Sequence, residues 1–279
     1  MPLALPEGKR LAVSVSADFD AHSVWMGSFG NTSPAYLSRG EFGAEVGVPR
    51  VLETFRRFGI RTTWCIPTHT LQTFPSQCEA VMDHGHEIAA HGVYHEYIPK
   101  LEADEERRLM ELQLKQHEKL VGSRPAGYRS PAWDFSETTL QLLEEFEFTW
   151  DSSLMGRDFE PYRPRPVIRQ SREEGNVFGP PSSVLEIPVS WYLDDFPPLE
   201  NLPRSVGMAS TDDVLKRWTD LFDFAHERVP GGVYALTVHP QTIGRGHHLL
   251  MFERFLEHAS QHSDVWFAPI SDIAACWQD

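Results

Sequence analysis

No stretch of the 279-residue chain supplies the roughly 18–20 consecutive apolar residues that a membrane-spanning helix needs. The opening MPLALPEGKR has no basic start followed by an apolar segment, so no secretory leader is expected. Cysteine is scarce. Three residues, Cys65, Cys78 and Cys276, form no CxxC pair, and an odd count without a leader reads as reduced thiols in a cytoplasmic protein. Basic residues are also few: 25 Lys and Arg against 40 Asp and Glu leave a net charge of −15. That balance argues against binding to a phosphate backbone and disfavours docking on an anionic membrane. A GxSxG elbow, a phosphate-cradling GxxxxGK[ST] and a GxGxxG turn are all missing. No 20–50-residue repeat or low-complexity tract interrupts the chain.

What is present is histidine, 13 in all, with His84, His86, His91 and His95 close together, plus eight Trp and 21 Pro. Strand and helix signals alternate. Leu11, Val13, Val15, Ala17 and Phe19 recur at period two and predict a strand ending at Asp18–Asp20. Pro49 opens a helix that Gly59 stops. Strands follow at 60–66 and 87–90, with a helix over 75–84 between them. A helix over 104–120 closes at Gly122, and Ser136 is placed to cap another carrying Leu140, Leu143 and Phe146. Residues 184–190 read as a strand. Ser210 or Thr211 caps a helix over 212–228 with an apolar stripe through Val214, Trp218, Phe222 and Ala225. A strand over 233–238, a helix over 248–262 and a strand over 265–268 complete the pattern. Such alternation predicts an α/β fold with a parallel sheet and outer helices. About seven units fit the length, which favours a barrel in one domain spanning 1–279. The Pro-, Gly- and Arg-rich stretch 156–183 is the exception and predicts a long excursion over one face.

Four clusters carry possible chemistry. Asp18 and Asp20 flank Phe19 at a strand's C-terminal end, where parallel α/β folds place ligand sites. Both carboxylates then face one side of an extended chain. His91 and His95 are spaced i, i+4, which places two imidazoles on one face if the segment is helical. His84 and His86 read as structural or surface residues. His239 ends a late strand and points to the same rim as the aspartates, as a ligand or a proton donor. Gly127–Trp133 offers Arg129 as a carboxylate clamp and a backbone N–H for an oxyanion.

Taken in order, Asp-Phe-Asp, His-x-x-x-His, the Arg129 segment, Asp151-Ser-Ser and Leu-x-x-His239 resemble the polysaccharide deacetylase superfamily, that is, family 4 carbohydrate esterases and their amidohydrolase relatives. The resemblance runs from Leu11 to about Ile270. It implies a distorted (β/α)₇ barrel in which Asp20, His91 and His95 hold a divalent metal, Zn²⁺ being the expected ion. It makes Asp18 the general base and His239 the general acid. Arg129 orients the base, and Asp151 supports the other side of the pocket. Three departures from the sugar-deacetylase pattern stand out: Phe19 separates the aspartates, Gly92 follows His91, and Ala132 replaces a common aromatic. These features, with Trp191–Pro197 and His239–Arg245, are similar to the branch holding cyclic imide hydrolases, allantoinase-like proteins and atypical peptidoglycan deacetylase-like proteins.

The expectation is therefore a metal-dependent hydrolase of non-peptide C–N bonds that opens a small cyclic imide or amide. The alternative is an N-deacetylase acting on an N-acetylated amino sugar or peptidoglycan-type substrate. For the imide, Ala132, Trp133 and Trp191 line the pocket, Arg245 meets a second carbonyl, and 156–183 covers the site. A small-molecule substrate and a homo-oligomer, dimer or tetramer, are expected, with no nucleic-acid or membrane partner.

Overall fold

In the computed structural model, which describes residues 3–202 and 208–278, the period-two segment becomes the central strand β1 (Leu11–Asp18). The other strands are β2 (Thr63–Ile66), β3 (Glu87–Ala90), β4 (Gly127–Tyr128), β5 (Trp150–Asp151), β6 (Val167–Arg169), β7 (Val177–Phe178), β8 (Leu185–Glu186), β9 (Gly232–Val238) and β10 (Val265–Phe267). Strand β1 is buried on both faces, and its two rows divide the molecule. Leu11, Val13, Val15, Ala17 and the following Phe19 join Phe55, Trp64, Phe222 and Phe252 in the layer between sheet and helices. The other row begins with Ala12, which packs inside with Cys65, Ala89, Trp150, Ile187 and Ala235. It continues through Ser14 and Ser16 to Asp18, all buried. The interior thus changes from apolar to polar along the strand.

The wall is parallel throughout. β1 pairs with β9 on one side, and on the other with β10 near its start (Leu11 with Val265) and β2 at its end (Asp18 with Cys65). From β2 the order continues β3, β4, β5 and β8. Seven strands, β1–β5, β8 and β9, line the barrel, and β10 wedges between β1 and β2. The seam between β8 and β9 is thin. Asp194 bridges to Thr237 at one end, and Val233 donates to the Phe159 carbonyl at the other (2.8 Å). The expected distorted (β/α)₇ barrel is the architecture found.

Helices fall close to their expected places. Val48–Phe58 ends at Gly59 with φ 65°, and Ala103–Val121 ends at Gly122 with φ 86°, the left-handed termination that glycine favours. Thr211–Arg228 is capped by Ser210, whose Oγ accepts from the Asp212 N–H. The helix after Ser136 starts three residues later, at Thr139. Ser136 Oγ still accepts from the N–H groups of Thr138 and Thr139. Short helices at His22–Gly27 and Pro34–Phe42, and a π-helical turn at Gly43–Gly47, carry no sequence signal long enough to read. Among the described residues no helix is long and apolar enough to cross a membrane. The three thiols are free.

The excursion departs from its expected position. It runs at the N-terminal ends of the strands, where Tyr162 pairs antiparallel with Glu186 and Phe159 stacks on Tyr234. Strands β6 and β7 form an exposed hairpin within it. None of its residues lines the cavity described below.

One glycine is fixed by packing. A Cβ on Gly127 would lie 1.8 Å from the Trp150 ring, which is itself buried. We expect Gly127→Ala to destabilise the fold by at least about 2 kcal/mol in urea denaturation, as overpacking of a rigid core does. A change under about 0.5 kcal/mol would show that the β4–β5 contact is loose.

Candidate active site

At the C-terminal end of β1 the chain keeps its alternation for two more residues. Phe19 turns outward onto Trp64 in an edge-to-face contact at 6.3 Å. Asp18 and Asp20 therefore both turn inward, and both are buried. Their partners differ sharply. Asp18 Oδ1 accepts from Arg129 Nη1 at 2.6 Å. Neither oxygen of Asp20 has a hydrogen-bond partner, and the carboxylate is fully buried. Asp20 Oδ1 instead lies 3.4 Å from His91 Nε2 and 3.8 Å from His95 Nε2.

The two histidines do not lie on a helix. They follow β3 in a loop that reverses at Gly92 (φ 75°) and again at His95 (φ 59°). The i, i+4 spacing brings the rings together at 5.0 Å through this turn rather than through helical periodicity. Each ring is held from behind. His91 Nδ1–H donates to the Arg129 carbonyl at 2.7 Å, and His95 Nδ1 pairs with Ser28 Oγ at 2.7 Å. Both Nε2 atoms are left facing Asp20, the arrangement by which outer partners orient metal-ligating imidazoles. His91 Nε2 has no partner of its own.

Three ligand atoms of Asp20, His91 and His95 lie within 4.8 Å of one another. A buried carboxylate with two unused oxygens would be costly without a cation. The donor set of two imidazoles and one carboxylate is that of catalytic divalent sites with open positions. The residues present therefore fit a divalent metal. Burial alone would raise the Asp20 pKa, but His95, His91 and His239 around it hold it well below the usual carboxylate range. Burial lowers His95 to about 4, so it is neutral and able to ligate. Burial also lowers His91, but Asp20 and Asp18 outweigh it and leave the value raised.

On one side of this cage stands Arg129, fully buried. Its Nη1 also donates to Ser16 Oγ (2.8 Å), Nε to the Ser152 carbonyl (2.9 Å) and Nη2 to Ser152 Oγ (2.9 Å). Asp151 lies deeper. Its Oδ1 accepts from Ser153 Oγ at 2.8 Å, and beside it lies Glu186, whose Oε1 accepts from the N–H groups of Ser153 and Leu154. Burial pushes Asp151 up to about 6, and burial with Asp151 beside it pushes Glu186 well above its usual value.

On the other side, His239 Nε2 lies 3.8 Å from Asp20 Oδ2 and 4.0 Å from Asp18 Oδ2. Its Nδ1–H donates to Asp195 Oδ1 at 2.7 Å, and its backbone N–H donates to the same carboxylate. Burial lowers its pKa, but Asp194 and Asp195 outweigh burial and push it up to about 10. Burial and the adjacent Asp195 raise Asp194 to about 7. Neither aspartate was singled out by sequence reasoning, although both lie in the quoted Trp191–Pro197 phrase. Adjacent acids in a Trp/Phe/Pro setting were the available signal.

Above these groups is a cavity of about 200 Å³ with apolar walls. Asp18, Asp20, His91, His95 and His239 form its floor, and Phe29, Trp133, Trp191 and Phe196 form walls. Trp133 and Trp191 stack at 4.4 Å. Ala132 lines the cavity with a left-handed backbone (φ 56°), as does Trp133 (φ 55°). Non-glycine residues held there store strain, a common mark of functional sites. Arg245 is the expected pocket residue that stands apart. It precedes the helix Gly246–Ser260, its guanidinium lies 3.5 Å over the Phe42 ring, and it does not line the cavity.

A family profile for polysaccharide deacetylase matches residues 41–150. A peptidoglycan deacetylase from Helicobacter pylori is 36% identical over 280 residues, covering 95% of this chain and 96% of the relative. A crystal structure from the polysaccharide deacetylase group of Mycobacterium smegmatis superposes with a TM-score of 0.85 at 31% identity, covering 98% of this chain and 92% of that one. The PuuE allantoinase shares the fold, with a TM-score of 0.81 at 23% identity over 99% of this chain and 93% of that one. With its barrel and full-length similarity, the chain belongs to the polysaccharide deacetylase family.

Proposed function

We propose that the protein is a metal-dependent hydrolase that removes the acetyl group from an N-acetylated amino sugar of the peptidoglycan type. The observation that carries this reading is the grouping on the cavity floor. A bare buried carboxylate and two oriented imidazoles lie between an arginine-held aspartate and an aspartate-backed histidine. Similarity to the Helicobacter pylori peptidoglycan deacetylase along nearly the whole chain supports the substrate class.

Asp20, His91 and His95 would hold the metal. When bound, a divalent ion supplies positive charge that polarises a carbonyl and makes water more acidic. Asp18 is placed to take the proton from the attacking water. Arg129 fixes its Oδ1 and leaves Oδ2 turned to the cavity. Ala132 lines the cavity, and its N–H is the donor assigned to the developing oxyanion. His239 carries a proton at neutral pH and is placed to give it to the departing nitrogen. Trp191 is 43% exposed and Phe29 39%, so aromatic faces are available at the rim for a sugar ring.

A second reading, hydrolysis of a small cyclic imide or amide, is favoured by the cavity's small size and by the fold shared with PuuE allantoinase. Two supports expected for it are missing: Arg245 is turned away, and residues 156–183 do not cover the mouth. The test compares N-acetylglucosamine oligomers with succinimide and allantoin on one metal-loaded preparation. Acetate release with little imide turnover is expected, and the reverse ranking would replace the first reading by the second. Trp191→Ala should raise KM for the oligomer about 3–10-fold with little change in kcat, the effect of losing one stacking face. An unchanged KM would remove Trp191 from the substrate platform.

A further inference from the structure

The chain contains a second His-x-x-x-His, His258 to His262, at the end of the helix Gly246–Ser260. Facing it on the helix Thr211–Arg228 is an Asp-x-x-His, Asp223 to His226. The three-residue spacing puts Asp223 and His226 on one face of their helix, while His262 follows the helix end in a turn, where its N–H donates to the Ala259 carbonyl. The two helices pack through Trp218, Phe222, Phe252 and Phe255, so the two motifs meet. Asp264, just before β10, completes the group.

The contacts are specific. His226 Nε2 lies 2.9 Å from Asp264 Oδ1, and His258 Nε2 lies 2.7 Å from Asp223 Oδ1. The ring of His262 stands between the pairs, 4.4 Å from the His226 ring and 5.8 Å from that of His258. Its imidazole has no hydrogen-bond partner among the described residues, whereas the other two rings each hold a carboxylate. Phe222 floors the group. It stacks on His226 and touches His258 and His262 at 5.6 and 5.4 Å. Ligand atoms fall within 4.8 Å of one another in two overlapping sets, Asp223–His258–His262 and His226–His262–Asp264, with His262 common to both. The nearby Arg10 guanidinium is directed to the carbonyls of His226 and Glu227, not to the carboxylates.

We propose that this cluster is a second metal site, in which His262 and its flanking His–Asp pairs take one first-row transition ion such as Zn²⁺. Three imidazoles with two carboxylates suit such an ion better than Ca²⁺ or Mg²⁺, which prefer oxygen donors. Four ligand atoms around a tetrahedral ion at about 2.1 Å stand roughly 3.4 Å apart, so the His–Asp pairs at 2.7 and 2.9 Å would open slightly and His262, within 4.8 Å of each set, would draw in, with four of the five donors filling the shell. The ion would tie the two helices to the entry of β10. The group stands by β10's start and not among the cavity residues, so the reading is independent of the proposed reaction.

The test is Zn²⁺ stoichiometry by equilibrium dialysis of chelator-stripped protein. Wild type and His262→Gln are compared, and Asp20→Ala/His91→Ala serves to empty the cavity cage. His262→Gln should hold one ion fewer than wild type while keeping its hydrolytic activity, and the cage variant should still bind one. Adding Ca²⁺ in place of Zn²⁺ should give no binding at this site. A His262→Gln protein that binds as many Zn²⁺ ions as wild type, with affinities within about tenfold, overturns the proposal.

Discussion

Asp20→Ala is expected to lose the metal and the activity together, while Asp18→Asn keeps the metal and lowers kcat by about 10²–10⁴-fold. The two carboxylates lie two residues apart on one strand end, but their surroundings assign them different work. Both oxygens of Asp20 are buried without a hydrogen-bond partner and face two Nε2 atoms, so removing them takes away the anionic donor of the cage. Asp18 already spends one oxygen on Arg129, and its other oxygen stands 3.8 Å from His91 Nε2. An amide there is nearly isosteric and leaves the cage intact, but it has no carboxylate to accept a proton. Metal content and kcat should be measured on the same preparations. Loss of metal from Asp18→Asn, with retention in Asp20→Ala, would exchange the two assignments.

Arg129→Leu should cost about 3–5 kcal/mol of stability, because it strands Asp18 as a buried charge without its partner. It also removes the donors to Ser16 Oγ, the Ser152 carbonyl and Ser152 Oγ, which tie β1 to the segment after β5. The double variant Arg129→Leu/Asp18→Asn should recover part of that loss and none of the activity, since the charge is gone from both sides. Urea unfolding of the four proteins in the cycle supplies the numbers. A loss below about 1 kcal/mol in Arg129→Leu would mean that water reaches Asp18 and replaces the guanidinium.

The fold was largely legible because its signals are local. The two rows of β1, the helix-ending glycines at 59 and 122, and the serine cap at 210 each act within a few residues. The order of the Asp, His, Arg and His clusters was equally readable. The route by which the chain joins them was not. The His91–His95 spacing would share one face in a helix, but Gly92 and His95 take left-handed backbone that spacing alone does not encode. The aspartates behind His239 were hidden for another reason. Asp195 meets His239 across 44 residues of sequence, and no local pattern carries a contact of that range. The composition of 156–183 announced a loop, but not which end of the barrel it would cross. That choice depends on Phe159 finding Tyr234 and Tyr162 pairing with Glu186.

The thin seam between β8 and β9 divides the site into a firm half and a yielding one. The cage hangs from β1 and the loop after β3, in the most extensively hydrogen-bonded part of the wall. Asp194 and Asp195 belong to the segment that closes the seam against Thr237, and Asp195 holds the imidazole of His239. Were the wall to part at this point, the anchor of the proposed proton donor would be lost while the proposed ligand set stayed in place. On the proposed reading, holding the ion and readying the acid would fall to different parts of the barrel. On that reading, an amino-acid change along the seam should alter turnover while leaving metal affinity as it was.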